Sequence, residues 1–379
     1  MSKKVTLQDI ARELAISVAT VSRALNGRGK VGADLREKIL EKAFEMGYFS
    51  SFPSSLSLNL SRKKIVVLFP EKDFFWEKVE RGVFDAWKLL REWPIDIEFF
   101  RTNGHNLGEQ VVIFEKLLER SDFHGVVMVP SDLTQLDYFI NALYLKGIRV
   151  VTFNVDAPLS KRLFYVGQNV RQGGRVAGEI FQHFLGNRRG KICVLTTNKR
   201  APSHVLRWQG LIDYVHEKSL PYDVSYLVEV QDEEGAYRFT KEKLLFEEEV
   251  CGVFLSTAFG NYGVGKALLE ADRRDIIVVG NDFLSGWKDF LERGVAHCFL
   301  YQYPYLQGFI ALAVLCRYLI FGAVPLEKTF YLPVFPIFVE NLKEDLEQFE
   351  ILIAYHLFGL EGKRKEAELA LIRRSGFGR

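Results

Sequence analysis

Two rhythms of apolar residues divide the chain. Up to about residue 48 the apolar positions fall in short helical blocks, and from Lys64 onward short apolar runs alternate with amphipathic stretches. In the first part Ile10 and Leu14 make one stripe, and Val21, Ala24 and Leu25 make a second. Thr6 followed by Asp9 predicts an N-cap with a capping box, and Ser17 predicts the start of the second helix. The turn between them is too short for antiparallel packing, so the pair reads as a helix-turn-helix. A third helix over 34–46 is expected to place Leu35, Ile39, Ala43 and Met46 on one side and to stop at Gly47.

In the second part, strand-like runs occupy 65–69, 95–100, 125–129, 149–153 and 163–167, then 191–195, 224–230, 252–256, 276–280 and 298–301. Helical stretches such as 77–90, 107–120 and 171–185 lie between them. That alternation predicts an α/β body of parallel sheets with helices on both faces. Ten strands exceed one ordinary sheet, so two doubly wound subdomains are expected, with a cleft at the carboxyl ends of their strands. The expected organisation is a small all-α head (1–49), a Ser/Asn/Pro-rich linker (50–63), a ligand-binding and dimerisation body (64–341) and a helical extension (342–379). In the extension, Leu342, Leu346, Phe349, Ile353 and Leu357 predict an amphipathic helix packed on its own lobe, and a further helix is expected over 365–373.

The outward face of the second head helix carries Val18, Ala19, Ser22 and Arg23 near its N-terminus. Small apolar groups meet thymine methyls, and a guanidinium forks onto guanine O6 and N7, so this face suits the major groove of double-stranded DNA. Thr6, Ser17, Thr20 and Asn26 offer hydroxyl and amide groups to phosphate oxygens. Charge agrees: residues 1–62 hold ten Lys/Arg against six Asp/Glu, a net +4, which leaves −2 for the rest of a chain whose total is +2.

The string TLQDIARELAISVATVSRALNG, with the later EMGY, resembles the DNA-binding head of the LacI/GalR family of bacterial regulators. The resemblance implies that Val18, Ala19 and Arg23 read bases and that Lys30 adds a contact. It also implies a hinge that wedges a leucine into the minor groove; Leu56 is the nearest candidate, with Leu58 or Leu60 as alternatives and a plain tether as the rival reading. Ala15 stands where many relatives have Gly, and a left-handed backbone there costs Ala ~1 kcal/mol.

The body resembles the type I periplasmic sugar-binding fold, which that family carries behind its head. The implied lobes are 64 to about 160 with 300–325, and 161–298 with a strand near 330–339. Loops after strands then supply the site: Phe74, Phe75 and Trp76 as stacking faces, Asn154, Arg207 as a two-pronged donor, Asp282 accepting from vicinal hydroxyls, and Gln302. Thr257-Ala258 stand where many relatives carry Asn-Asp, which removes a carboxylate while Thr257 keeps a hydroxyl; Asn261 compensates if its loop turns inward. His204, beside Arg207, is either a ligand contact or a helix-start residue.

The implied protein is a cytoplasmic regulator, most simply a repressor, with a sugar or sugar derivative as effector and a pseudo-palindromic operator as target. A homodimer is expected, with a tetramer the alternative. A transport-type solute-binding protein is the rival; the head and the lack of an apolar signal core in MSKKVTLQD oppose it. No run of about 18 apolar residues predicts a membrane span. Cys193, Cys251, Cys298 and Cys316 show no zinc spacing and read as reduced core residues. Gly260 to Lys266 fits G-x-x-x-x-G-K, but Ala267 lacks the hydroxyl that a magnesium ion needs there. The seven histidines are scattered, so no catalytic group, metal or cofactor is expected.

Overall fold

The computed structural model describes residues 5–25, 61–70, 74–90, 93–132, 134–282, 285–342 and 345–358, with 31, 32, 34, 35, 38, 39, 42, 43, 46 and 48 of the head. Asn26, Lys30, Leu56, most of the linker and the expected helix over 365–373 lie outside the described residues.

In the head, α1 (Leu7–Glu13) starts at the capping box, with Thr6 accepting from the Asp9 amide and Asp9 accepting from Thr6. Ser17 accepts from the Thr20 amide at 3.1 Å and opens α2 (Val18–Leu25). Ala15 between them has φ +52, so the chain takes the left-handed backbone there despite its cost to Ala. Ile10, Val21, Ala24, Leu25, Ile39 and Ala43 are buried together; Leu35 is not, being 37 % exposed.

The body is two parallel sheets with helices between their strands. The first has the order β12-β5-β4-β3-β1-β2 and is parallel throughout. Its strands are β1 (Lys63–Phe69), β2 (Ile95–Arg101), β3 (Gly125–Met128), β4 (Arg149–Phe153), β5 (Phe164–Gln168) and β12 (Thr329–Leu332). The second runs β13-β11-β10-β9-β6-β7, with β8 also on β6. Its strands are β6 (Gly190–Thr196), β7 (Tyr222–Asp223), β8 (Leu227–Glu229), β9 (Val250–Leu255), β10 (Ile277–Asn281), β11 (Cys298–Tyr301) and β13 (Phe335–Ile337), the last antiparallel to β11. The helices are α3 (Phe74–Leu89), α4 (Leu107–Glu119), α5 (Asp137–Leu145), α6 (Val170–Leu185), α7 (Pro202–Glu217), α8 (Glu233–Glu242), α9 (Asn261–Glu270), α10 (Lys288–Glu292), α11 (Pro304–Phe321) and α12 (Leu346–Leu357).

This topology corrects the lobe assignment. Strand β5 pairs with β4 and β12 pairs with β5, so both belong to the first sheet, and the run expected near 330–339 is divided between the sheets. The chain therefore crosses between lobes three times, after β5, after β11 and after β12. An all-buried run carries no mark of which sheet it joins. Of the run at 224–230 only β8 is strand, and β7 precedes it; both pair with β6 on the same edge.

Two close helix crossings build the layers around the cleft. At the crossing of α6 and α7, a Cβ on Gly174 would sit 1.9 Å from the Arg207 carbonyl oxygen, and one on Gly210 would sit 2.0 Å from that of Arg171. Reciprocal glycines let the two backbones touch. In the first lobe α11 is 18 residues long and apolar enough to cross a membrane by composition. Fourteen of its residues are buried against the protein, so its hydrophobicity is spent on the core.

Helix α12 keeps only part of its expected face: Leu346 and Ile353, with Leu342 before them, pack against the core. Glu350, Ile351 and Ala354 are buried, whereas Phe349 and Leu357 are 48 % and 43 % exposed. The buried stripe contains a carboxylate, which hydrophobic periodicity cannot anticipate.

Candidate ligand cleft and DNA-binding head

Parallel strands end together, so the loops that follow them meet. Here the ends of both sheets face one cavity of about 490 Å³. The first lobe contributes Phe75 and Trp76 from the start of α3, Gly104 and His105 after β2, and Asn154 after β4. The second contributes Thr197 and Asn198 after β6, Ser203, His204 and Arg207 from α7, Thr257 to Phe259 after β9, and Asp282 after β10. Gln302 enters from the crossover after β11.

The aromatic wall comes from helix geometry. Phe75 and Trp76 are buried and meet edge to face at 4.8 Å between centroids, and Trp76 meets His105 at 5.8 Å. Phe74 is 64 % exposed and does not line the cavity, which corrects its assignment. Helix α3 begins at Phe74, and about 100° of rotation per residue turns its ring to solvent.

The polar groups form a chain across the crossover. Asn154 Nδ2 donates to Gln307 Oε1 at 3.3 Å, Gln307 Nε2 donates to the Gln302 carbonyl at 2.8 Å, and Gln302 Nε2 reaches both Asp282 oxygens at 2.8 Å. Asn154, Asp282 and Tyr303 hold left-handed backbones, with φ of +61, +62 and +54. Such strain, of order 1 kcal/mol or more per residue, persists where the surroundings over-determine it. Gln168, at the first crossover, donates to Tyr301 O at 2.7 Å and to Pro333 O at 3.0 Å, tying the three crossovers together.

The ionisable groups of the cavity are desolvated. Arg207 is buried and donates through Nη1 to Ser256 O at 2.7 Å. Burial pulls its pKa down, against the opposing charge of Asp282. Burial also pushes Asp282 up, opposed by Arg207, by the Gln302 hydrogen bonds and by Lys78. His204 bonds Thr196 Oγ1 at 2.9 Å; burial, with Arg207 and His105 nearby, lowers its imidazole to about 3. Burial lowers His105 to about 4, and its Nδ1 is buried without a hydrogen-bond partner. Both rings are therefore neutral at pH 7, which leaves one guanidinium and one carboxyl group in the lining.

Phe75, Trp76, Asn154, Arg207, Thr257, Asp282 and Gln302 thus share one cavity. Asn261 does not line it; the residue is buried, and its Nδ2 donates to Asn281 O at 3.1 Å. Sequence reasoning passed over Gly104, His105, Thr197, Asn198 and Ser203. The usable signal was the rule that every post-strand loop of a parallel sheet ends at the cleft. The glycine run of 260–266 has a packing role instead. A Cβ on Gly263 would lie 2.1 Å from Glu233 O, and the Glu233 carboxylate accepts from the Gly260 and Gly263 amides, the donors that a phosphate would need.

In the head, Val18, Ala19 and Arg23 are exposed on α2, and Ser22 is half-buried. Arg23 folds along its own helix, Nε donating to Ala19 O at 3.2 Å, which holds the guanidinium on the outward face. Thr6, Ser17 and Thr20 spend hydroxyl capacity on helix caps.

A helix-turn-helix head joined to a two-lobed, cleft-bearing α/β body defines a regulator of DNA built on a solute-binding fold. Comparison with known proteins agrees: the periplasmic binding protein domain matches residues 65–323, and the bacterial regulatory proteins of the lacI family match residues 6–51. The catabolite control protein A of Priestia megaterium is 36 % identical over 255 residues, 65 % of this chain and 71 % of that one. The ribose operon repressor of Halalkalibacterium halodurans is 25 % identical over 290 residues, 73 % of this chain and 80 % of that one. The HTH-type transcriptional regulator RegA of Clostridium saccharobutylicum is 28 % identical over 156 residues, so 41 % of this chain aligns with about half (46 %) of that protein. Among crystal structures, a solute-binding protein from Burkholderia graminis in complex with D-arabinose superposes with a TM-score of 0.68 at 20 % identity, covering 75 % of this chain and 98 % of that one. The chain belongs to the lacI family of bacterial regulatory proteins.

Proposed function

We propose that this protein is a sugar-responsive transcriptional repressor that binds a pseudo-palindromic operator as a homodimer, a tetramer being the alternative assembly. The observation that carries the reading is the buried Arg207 and Asp282 in one interlobe cavity of a chain that also bears a helix-turn-helix. A lining with one guanidinium, one carboxyl group, neutral imidazoles and several amides and hydroxyls fits an uncharged polyol. Phe75 and Trp76 offer faces to its C–H surface, while Arg207, Asp282, Asn154 and Gln302 bond its oxygens. At the loop after β9, Thr257 and Ala258 offer one hydroxyl and no carboxylate.

The proposed division of labour follows the expected domains: 1–49 reads DNA, 50–63 links, 64–341 senses and dimerises, and 342–379 is an extension. Val18, Ala19 and Arg23 face base edges, and Thr6, Ser17 and Thr20 face phosphates. The protein acts in the cytoplasm, without enzymatic activity. Sugar closing the lobes reorients the heads and lowers operator affinity, and by linkage operator weakens sugar binding by the same factor. The family neighbours support a sugar effector, since one of them is by name a ribose operon repressor.

The test is enrichment of sheared host genomic DNA on the purified protein, with and without D-ribose, D-arabinose or D-glucose. A shared pseudo-palindrome that one sugar releases is the expected result. Bound DNA with no common sequence would refute operator recognition, and enrichment indifferent to every sugar would refute the effector class.

A further inference from the structure

Helix α12 lies beyond the residues 65–323 that match the periplasmic domain, yet it inserts a carboxylate into the body. Glu350 is fully buried. One oxygen accepts from the Tyr301 hydroxyl, and the other accepts from the Leu306 amide at 2.9 Å. Tyr301 ends β11, and Leu306 is in the first turn of α11, so the carboxylate clamps both ends of the second crossover.

The clamp fills a gap in local capping. Helix α11 begins after Tyr303, whose side chain gives no capping hydrogen bond, and Pro304 has no N–H to offer. The first-turn amide of Leu306 therefore needs an acceptor from elsewhere, and Glu350 supplies it across more than forty residues of chain. Helix α12 is held in place by the Arg81–Glu347 ion pair to α3 and by the ring of Phe309 against Phe358 and Tyr355, at 5.5 and 6.5 Å between centroids.

Between the two clamped points lies Gln302, which holds both oxygens of Asp282 and, through its carbonyl, Gln307 and Asn154. We propose that Glu350 is a positioning residue for the ligand cavity: the C-terminal helix fixes the second crossover so that Gln302 presents Asp282 to the ligand. The inference rests on the sugar-cleft reading for its ligand arm and on the hydrogen bonds alone for its structural arm. It gives the extension a role inside its own chain, with the cavity as its target.

Two measurements on the full-length protein decide it. The first is amide hydrogen exchange of residues 301–307 in the wild type, Glu350→Gln and Glu350→Ala, with thermal melts to confirm folding. Loss of the clamp raises exchange there about tenfold in Glu350→Ala, with Glu350→Gln intermediate because it keeps one acceptor. The second is calorimetric titration with D-ribose, D-arabinose and D-glucose. For the sugar that the wild type binds, Glu350→Ala weakens affinity about tenfold, and in a Gln302→Ala background it adds nothing further. Unchanged exchange at 301–307 overturns the clamp. Looser exchange with unchanged affinity, or additive effects with Gln302→Ala, overturns the positioning role. A wild type that binds none of the three sugars counts against the sugar reading, while the exchange arm still rules on the clamp.

Discussion

Gly174→Ala tests how the second lobe positions its guanidinium. In an open helix interior the change should stabilise the protein by about 1 kcal/mol, because Ala is the better helix former. Here the new methyl would stand 1.9 Å from Arg207 O and 3.0 Å from the Leu211 amide nitrogen. Ordinary contact needs roughly 3.5 Å, so α6 and α7 must part by about 1.5 Å along that line. Both atoms are backbone, and a packed core yields little. Overpacking of that kind costs about 3 kcal/mol, so the net loss is about 2 kcal/mol. For a lobe of this size the melting temperature falls by roughly 4–8 °C. The shift also draws the base of Arg207 away from Ser256 O, now 2.7 Å from its Nη1, and affinity for the effector sugar falls with it. Circular-dichroism melts and sugar titration read both effects. The sign decides: a variant that melts at or above the wild type would show that the helices are not in contact as described.

Three further outcomes follow from the same geometry. Arg23→Ala should lower specific operator affinity by ~1–3 kcal/mol and leave sugar binding intact; an equal loss on random DNA in gel-shift titrations would place Arg23 on phosphate instead. Asp282→Ala should abolish sugar-dependent release while operator binding persists, and an unchanged response in the same assay would move the ligand elsewhere. Stability should fall with acid. Burial holds His105 and His297 near 4 and His204 near 3, below the ordinary 6.5, so the unfolded chain binds more protons and stability is lost as pH drops below about 6.5. Glu350 acts the other way: burial raises it to about 7, so its contribution is present at low pH and fades as pH rises through 7. Asp282, Glu233 and Asp137 are raised in the same sense as Glu350. Against these carboxyls stand three imidazoles lowered to about 4 or below, so urea midpoints should decline from pH 6.5 to 4, and a flat profile would contradict the burial of those rings.

Much of the molecule was legible before any coordinates, for local reasons. A capping box is a three-residue pattern, and Thr6 with Asp9 makes it as written. The left-handed backbone at Ala15 was legible only through the resemblance, as a position where many relatives have Gly. Alternating buried strands and amphipathic helices specify parallel sheets, and the ten expected runs all contain strand. Because loops after parallel strands converge, seven of the eight residues proposed for the cleft share one cavity; Phe74 failed only because helix phase turned it outward.

Tertiary structure alone decided which sheet each strand joins. A buried apolar run such as 164–168 is compatible with either lobe, and only its ladder to β4 and β12 settles the matter. The same limit hid the glycine crossings and the Glu350 clamp. Gly174 gains its meaning from a carbonyl thirty-three residues away, and Glu350 gains its meaning from an uncapped helix end forty-four residues earlier in the chain. Sequence periodicity records which face of an element is apolar, whereas the partner of that face, and the polar group buried within it, are properties of the packed chain.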